Sequence, residues 1–239
     1  MRLLKFPKNC YIGKNNYIEK SVKLFENIYI GDNNKIYDGT VIYPNTKIGN
    51  NNVILNNNIL GEHGIEANYD FKNKVFNGLE IGNNNFLHNS NKIYNGFYRK
   101  TLIGNNNKIL GESHIGHDVN IKNNVYIYTR GMLCGFVEMN DYSGMGVSCV
   151  IHQRKKIGNY AFLGMNNTIT KDIFPFYINI NNKYHKFNYH RIDIENFKDN
   201  ELLITEIRDK YINNNNININ DYKSSLDNSI FNIVNNFIS

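Results

Sequence analysis

IGNNNKILGESHIGHDVNIKNNVYI, residues 103–127, places isoleucine at 103, 109, 115, 121 and 127. An α-helix repeats every 3.6 residues and a strand every two, so neither alone predicts a period of six. A parallel β-helix does, with three short straight segments and three corners per coil and an aliphatic residue filling the interior at every sixth position. The series runs on to Ile169, and a second unbroken series runs from Phe6 to Leu60. A longer period lies on top. IGKNN, IGDNN and IGNNN begin at Ile12, Ile30 and Ile48, eighteen residues apart, and the same spacing links Ile103, Ile121, Met139 and Ile157. One coil is therefore eighteen residues, and each corner recurs above itself at the strand spacing of about 4.8 Å. Asn and Gly suit such corners because they tolerate left-handed backbone. AT-rich coding would also produce the asparagine excess, so Asn alone carries no claim.

Two interruptions break the period. Between Leu60 and Ile81 fifteen extra residues form an inserted loop, 61–80, and between Ile93 and Ile103 four extra residues pass through FYRK. Insertions that keep the flanking register are loops projecting from the solenoid, often on a functional face. For the short one, a neutral tolerated insertion is an equal alternative. The repeat ends near TKDIFPFYINI, at Pro175. Beyond it, NELLITEIRDKY (200–211) carries Leu203, Ile204 and Ile207 at helical spacing, and DYKSSLDNSIFNIVNNFIS (221–239) reads as a second amphipathic helix with Leu226, Ile230, Ile233 and Phe237. The expected organisation is a β-helix over 1–180 and a small α-helical tail over 181–239.

The chain has 239 residues, 41% hydrophobic and 20% charged, with a net charge of +6. No apolar run approaches the ~20 residues of a membrane span. MRLLKFPKNC lacks a signal-peptide core, so a cytoplasmic protein is expected. Cys10, Cys134 and Cys149 have neither CxxC spacing nor an even count, and read as free thiols. The positive charge suits phosphates or an acidic protein. No basic run interleaved with aromatics points to nucleic acid.

His114 precedes interior Ile115, His117 lies at the following corner, and His152 follows interior Ile151, so all three point outward. For each alone, a solvated surface histidine is an even alternative. Stacking changes that balance for one of them. His117, Gly135 and Gln153 are eighteen apart and share one column on three successive coils. His117 and Gln153 then lie about 10 Å apart, separated by a residue without a side chain. A base below, polar groups above and an exposed N–H between suit proton abstraction and stabilisation of an oxyanion. Asp118 is placed to fix the tautomer of His117.

HIGHD, GMGVSCVIHQ (144–153), the exit TKDIFPF and the GE at Gly61 and Glu62 together resemble the hexapeptide acyltransferases. The resemblance is strongest to the UDP-N-acetylglucosamine O-acyltransferase branch, with related nucleotide-sugar acetyltransferases beside it. It covers roughly residues 6–180. It implies a left-handed parallel β-helix, a homotrimer with substrates in the clefts between chains, and no metal. By motif, it implies that His117 is the general base, Asp118 its orienting carboxylate and Gly135 the oxyanion amide. His114, His152 and Gln153 match substrate contacts. Glu66 is a loosely aligned match to a sugar-contacting acid. Arg191 is a candidate for phosphates, against the competing reading of a solvated arginine. Phe136 stands where the branch carries histidine. Met165 stands where a smaller residue admits a long acyl chain, which implies a short acyl group and favours acetyl-CoA or another acyl-CoA as donor. Long-chain transfer from acyl carrier protein is the alternative, favoured by the long loop and IHQ. A non-catalytic scaffold and a zinc hydratase using His114, His117 and His152 are further readings on the same fold.

Overall fold

The computed structural model describes residues 9–64, 76–213 and 217–239. Its strands stack into three parallel sheets that wrap one interior. The first face holds eight strands from Tyr11–Ile12 to Lys156–Ile157, and the third holds eight from Lys23–Leu24 to Thr168–Ile169. The second face runs from Tyr17–Ile18 to Phe162–Leu163 and closes with Tyr177–Ile180 and the antiparallel Lys183–Phe187.

Register follows the eighteen-residue coil, as in His114 opposite Met132 and Tyr126 opposite Gly144. Across the short insertion Leu79 pairs with Thr101, and across the long one Glu80 pairs with Lys47. Both insertions leave the stacking intact, because each leaves and re-enters the coil at the same corner. The sixth-position aliphatics Ile30 through Ile169 are almost wholly buried and form one continuous core. Six-fold spacing thus selects the interior, and the residue before each aliphatic faces out, as Tyr11, Lys35 and Lys108 do.

The asparagines do three separate jobs. Asn15, Asn33, Asn51, Asn84, Asn106 and Asn124 occupy left-handed corner positions, which spares the ~1–2 kcal/mol that most residues would lose there. Asn34, Asn52, Asn85 and Asn107 form a buried ladder. Asn52 and Asn85 donate to the Oδ1 of the coil before, at 2.9–3.0 Å, and the Nδ2 of each also reaches a backbone carbonyl. A third file, Asn83, Asn105 and Asn123, passes backbone N–H bonds from coil to coil and ends on Asp141. Each file satisfies polar groups that no strand ladder covers.

Beyond the solenoid, helix α1 (Glu201–Ile212) and helix α2 (Asn228–Ile238) pack on Phe174, Phe176 and Tyr177 in a second apolar cluster. Asp227 caps α2 by accepting from Ser229 N–H at 2.8 Å, so the helix begins later than the amphipathic pattern suggested, and Leu226 is buried ahead of it. Ile233 is half-buried, while Phe231 and Val234 take the fully buried face. Lys156 bonds the carbonyls of Asn236 and Phe237 at 3.0 Å, tying the C-terminal end of α2 to the first face. No helix among the described residues is long and apolar enough to cross a membrane.

Candidate active site

His117 and Gly135 meet at the corner between the third and first faces. A Cβ on Gly135 would lie 2.6 Å from His117 Cε1 and 2.7 Å from Nε2, so the imidazole rests directly against the bare backbone. The column read from the eighteen-residue period is therefore present, with Gln153 exposed on the next coil. At the equivalent position of the corner after the first face, each N–H donates to a side chain eighteen, twenty-two or thirty-three residues on. Gly135, at a different corner, belongs to no such file: it offers no side chain to the coil below, and its own N–H donates to no described acceptor.

Asp118 sits next to His117 in the left-handed conformation (φ 60°) with its carboxylate completely buried. His117 Nδ1 lies 2.8 Å from Oδ2. Three consecutive N–H groups also donate to this carboxylate: Phe97 to Oδ2 at 3.2 Å, and Tyr98 and Arg99 to Oδ1 at 2.8 and 2.6 Å. Burial pushes the carboxyl up, but the His117 bond and the amides of Arg99, Tyr98 and Phe97 outweigh it and hold the group below the usual carboxylate range. A carboxylate only accepts, so His117 Nδ1 carries the proton and Nε2 is the basic nitrogen.

The three amides belong to the four-residue insertion, for which the sequence left function and neutrality equally open. Its Phe97 ring also packs on the imidazole, with centroids 4.7 Å apart. Phe136 meets the imidazole edge-on at 5.4 Å. Phe136 and Arg154 occupy successive left-handed positions above Asp118, and the Arg154 guanidinium lies over the Phe136 ring at 4.3 Å. They line a groove of about 570 Å³ with Tyr98, Arg99, Lys155 and Lys156 and the acids Glu138 and Asp172. Arg99 is held by Glu138 at 3.1 Å, whereas Arg154 has no acidic partner among the described residues.

The other candidates are dispersed. His114 lies on the third face, half-buried against Tyr94, and burial followed by the charge of Lys92 holds its pKa down. Lys92 in turn pairs with Glu62 at 2.7 Å. His152 is exposed, two coils along the same corner as His117. Met165 is 69% exposed at the corner between the second and third faces. Arg191 is half-buried: its guanidinium stacks on Tyr126 at 4.3 Å and donates to the Asn124 carbonyl at 2.6 Å, on the far side of the coil from His117. Glu66 lies outside the described residues. Among those residues no three His, Cys, Asp or Glu side chains converge as a metal site would require, and the zinc arrangement of His114, His117 and His152 is not assembled.

The repeat described as bacterial transferase hexapeptide (six repeats) matches residues 27–62. The chain is 32% identical over 123 residues to the acyl-[acyl-carrier-protein]--UDP-N-acetylglucosamine O-acyltransferase of Burkholderia orbicola, covering 50% of this chain and 46% of that one. It is 39% identical over 103 residues to the enzyme of the same name from Nautilia profundicola, covering 42% and 40%. The chain thus spans about half the length of the curated relatives it matches. The solved UDP-N-acetylglucosamine acyltransferase from Campylobacter jejuni superposes with a TM-score of 0.81 at 23% identity, covering 96% of this chain and 91% of that one. Such solved neighbours are left-handed β-helices, and the superposition gives this chain the same hand.

Proposed function

We propose that the chain moves an acyl group from the thioester of an acyl carrier protein to a hydroxyl of UDP-N-acetylglucosamine, with His117 as general base. The observation that carries this reading is the imidazole lying against Gly135 with its Nδ1 held by Asp118. His117 Nε2 takes the proton of the acceptor hydroxyl as its oxygen attacks the thioester carbonyl. The oxyanion accepts from the Gly135 N–H. Collapse breaks the C–S bond, and the imidazolium returns its proton to the departing thiolate. Asp118 supports the transient imidazolium throughout.

The names of the curated relatives favour a carrier-protein donor over the acetyl-CoA expected from Met165 and Phe136. Acyl length remains assigned to Met165, and Arg154 offers a guanidinium to anionic substrate groups in the groove beside the base. Met165 lies on another corner and Arg191 against the second face, both away from His117, which supports a trimer whose adjacent chains complete each cleft. His114, His152 and Gln153, and Glu66 on the acceptor loop, are proposed substrate contacts. The test is mass-spectrometric product detection with UDP-N-acetylglucosamine, offering carrier-protein thioesters of graded chain length and acetyl-CoA in parallel. An O-acylated sugar nucleotide from the carrier donor supports the proposal. Acetylation from acetyl-CoA alone, or no product from any donor, rejects it.

A further inference from the structure

We infer that the four-residue insertion is a positioning element that locks the orientation and tautomer of His117 through Asp118. Among the described residues it is the only segment whose consecutive N–H groups, at 97, 98 and 99, turn onto one carboxylate. The geometry divides the two oxygens. Oδ1 takes the amides of Tyr98 and Arg99, so its acceptor directions are filled, and Oδ2 faces the imidazole with Phe97 N–H behind it.

The segment and the strand residue after it close the arrangement from two further sides. Arg99 Nε donates to the Asp118 carbonyl at 3.0 Å, and Thr101 Oγ1 accepts the Asp118 N–H at 2.9 Å. The left-handed backbone of Asp118 is thereby pinned on both sides of its Cα. Phe97 then covers one side of the ring. Gly64 completes the wall, since a Cβ there would meet Phe97 Cζ at 3.0 Å and His117 Cβ at 3.1 Å. A plain six-residue step would leave the corner without these amides, and a buried carboxylate facing one imidazole would be poorly satisfied. The other charged groups near the pair are Arg99, its partner Glu138, Arg154 across Phe136, and His63 through Phe76 and Phe97.

Two variants separate the amide from the side chain. Tyr98→Ala loses the ring and keeps the N–H, whereas Tyr98→Pro loses both. The readout is the His117 tautomer by nitrogen-15 NMR, measured on the free protein, together with the pH profile of kcat/KM. Wild type and Tyr98→Ala are expected to show the Nδ1–H tautomer alone and the same acidic limb. In Tyr98→Pro the carboxylate has lost a donor and is freer to turn from Nδ1, so it orients the imidazole and supports the imidazolium less. The tautomer becomes mixed, the acidic limb moves to lower pH, and kcat falls about 10-fold, the low end for one hydrogen bond to a charged group. A backbone ester at position 99, which keeps the arginine side chain, repeats the test by removing the 2.6 Å donor if Tyr98→Pro does not fold. A folded Tyr98→Pro or ester variant with the tautomer and acidic limb of Tyr98→Ala overturns the inference. The rate arm rests on the proposed acyl transfer. The tautomer arm does not, so a protein that acylates nothing still decides whether the insertion holds His117.

Discussion

Gly135 is the residue on which the site's geometry turns. It needs no unusual backbone angle, and what requires glycine is the imidazole packed where a Cβ would stand. Gly135→Ala is therefore expected to displace the His117 ring while leaving the solenoid stacked, lowering kcat by ~10²-fold or more with little change in the melting temperature. Steady-state kinetics beside a thermal melt measures both. Asp118 has a matching signature in stability. Its folded carboxyl titrates below the unfolded value of about 3.9, so its contribution is fully present above that pH and is lost as pH falls through the folded value. Denaturant unfolding from pH 6 to pH 3 should show wild type losing stability below about pH 4. Asp118→Asn should be less stable at pH 6, because an amide NH₂ then faces backbone donors, and flatter across the acid window.

At the scale of the element, corner and insertion show what was legible beforehand. The His117–Gly135–Gln153 column followed from an exact eighteen-residue period, since stacking fixes which residues meet whatever their chemistry. The role of the short insertion did not follow, because it acts through backbone N–H groups that leave no mark in residue type. The asparagines were opaque for a different reason. Corner, buried ladder and half-buried file all use the same residue, and a coding bias would look identical. The buried file makes this testable. Asn85 accepts from Asn107 N–H and donates to Asn52 Oδ1 and Gly104 O at 2.9–3.0 Å. Asn85→Leu strands those partners in the core and should cost about 2–4 kcal/mol of unfolding free energy. An exposed lysine such as Lys35, replaced by Gln, should cost under ~0.5 kcal/mol by the same denaturant titration.

For the whole molecule, the period predicts the solenoid but not the path of the chain after Pro175. The tail returns across the second face, where Arg191 stacks on Tyr126, and α2 is tied to the first face through Lys156. No repeat encodes those contacts, so Arg191 read as solvated or phosphate-binding when it also fastens the tail. A chain with its candidate residues on separate corners is a unit suited to assembly, and light scattering is expected to give three copies per particle. The most direct test of the account is turnover by His117→Ala under saturating carrier-protein thioester and UDP-N-acetylglucosamine, with product counted by mass spectrometry. Losing a positioned base should lower kcat by ~10²–10⁴-fold while the melting temperature holds. Turnover equal to wild type in a correctly folded His117→Ala would contradict the account at its centre.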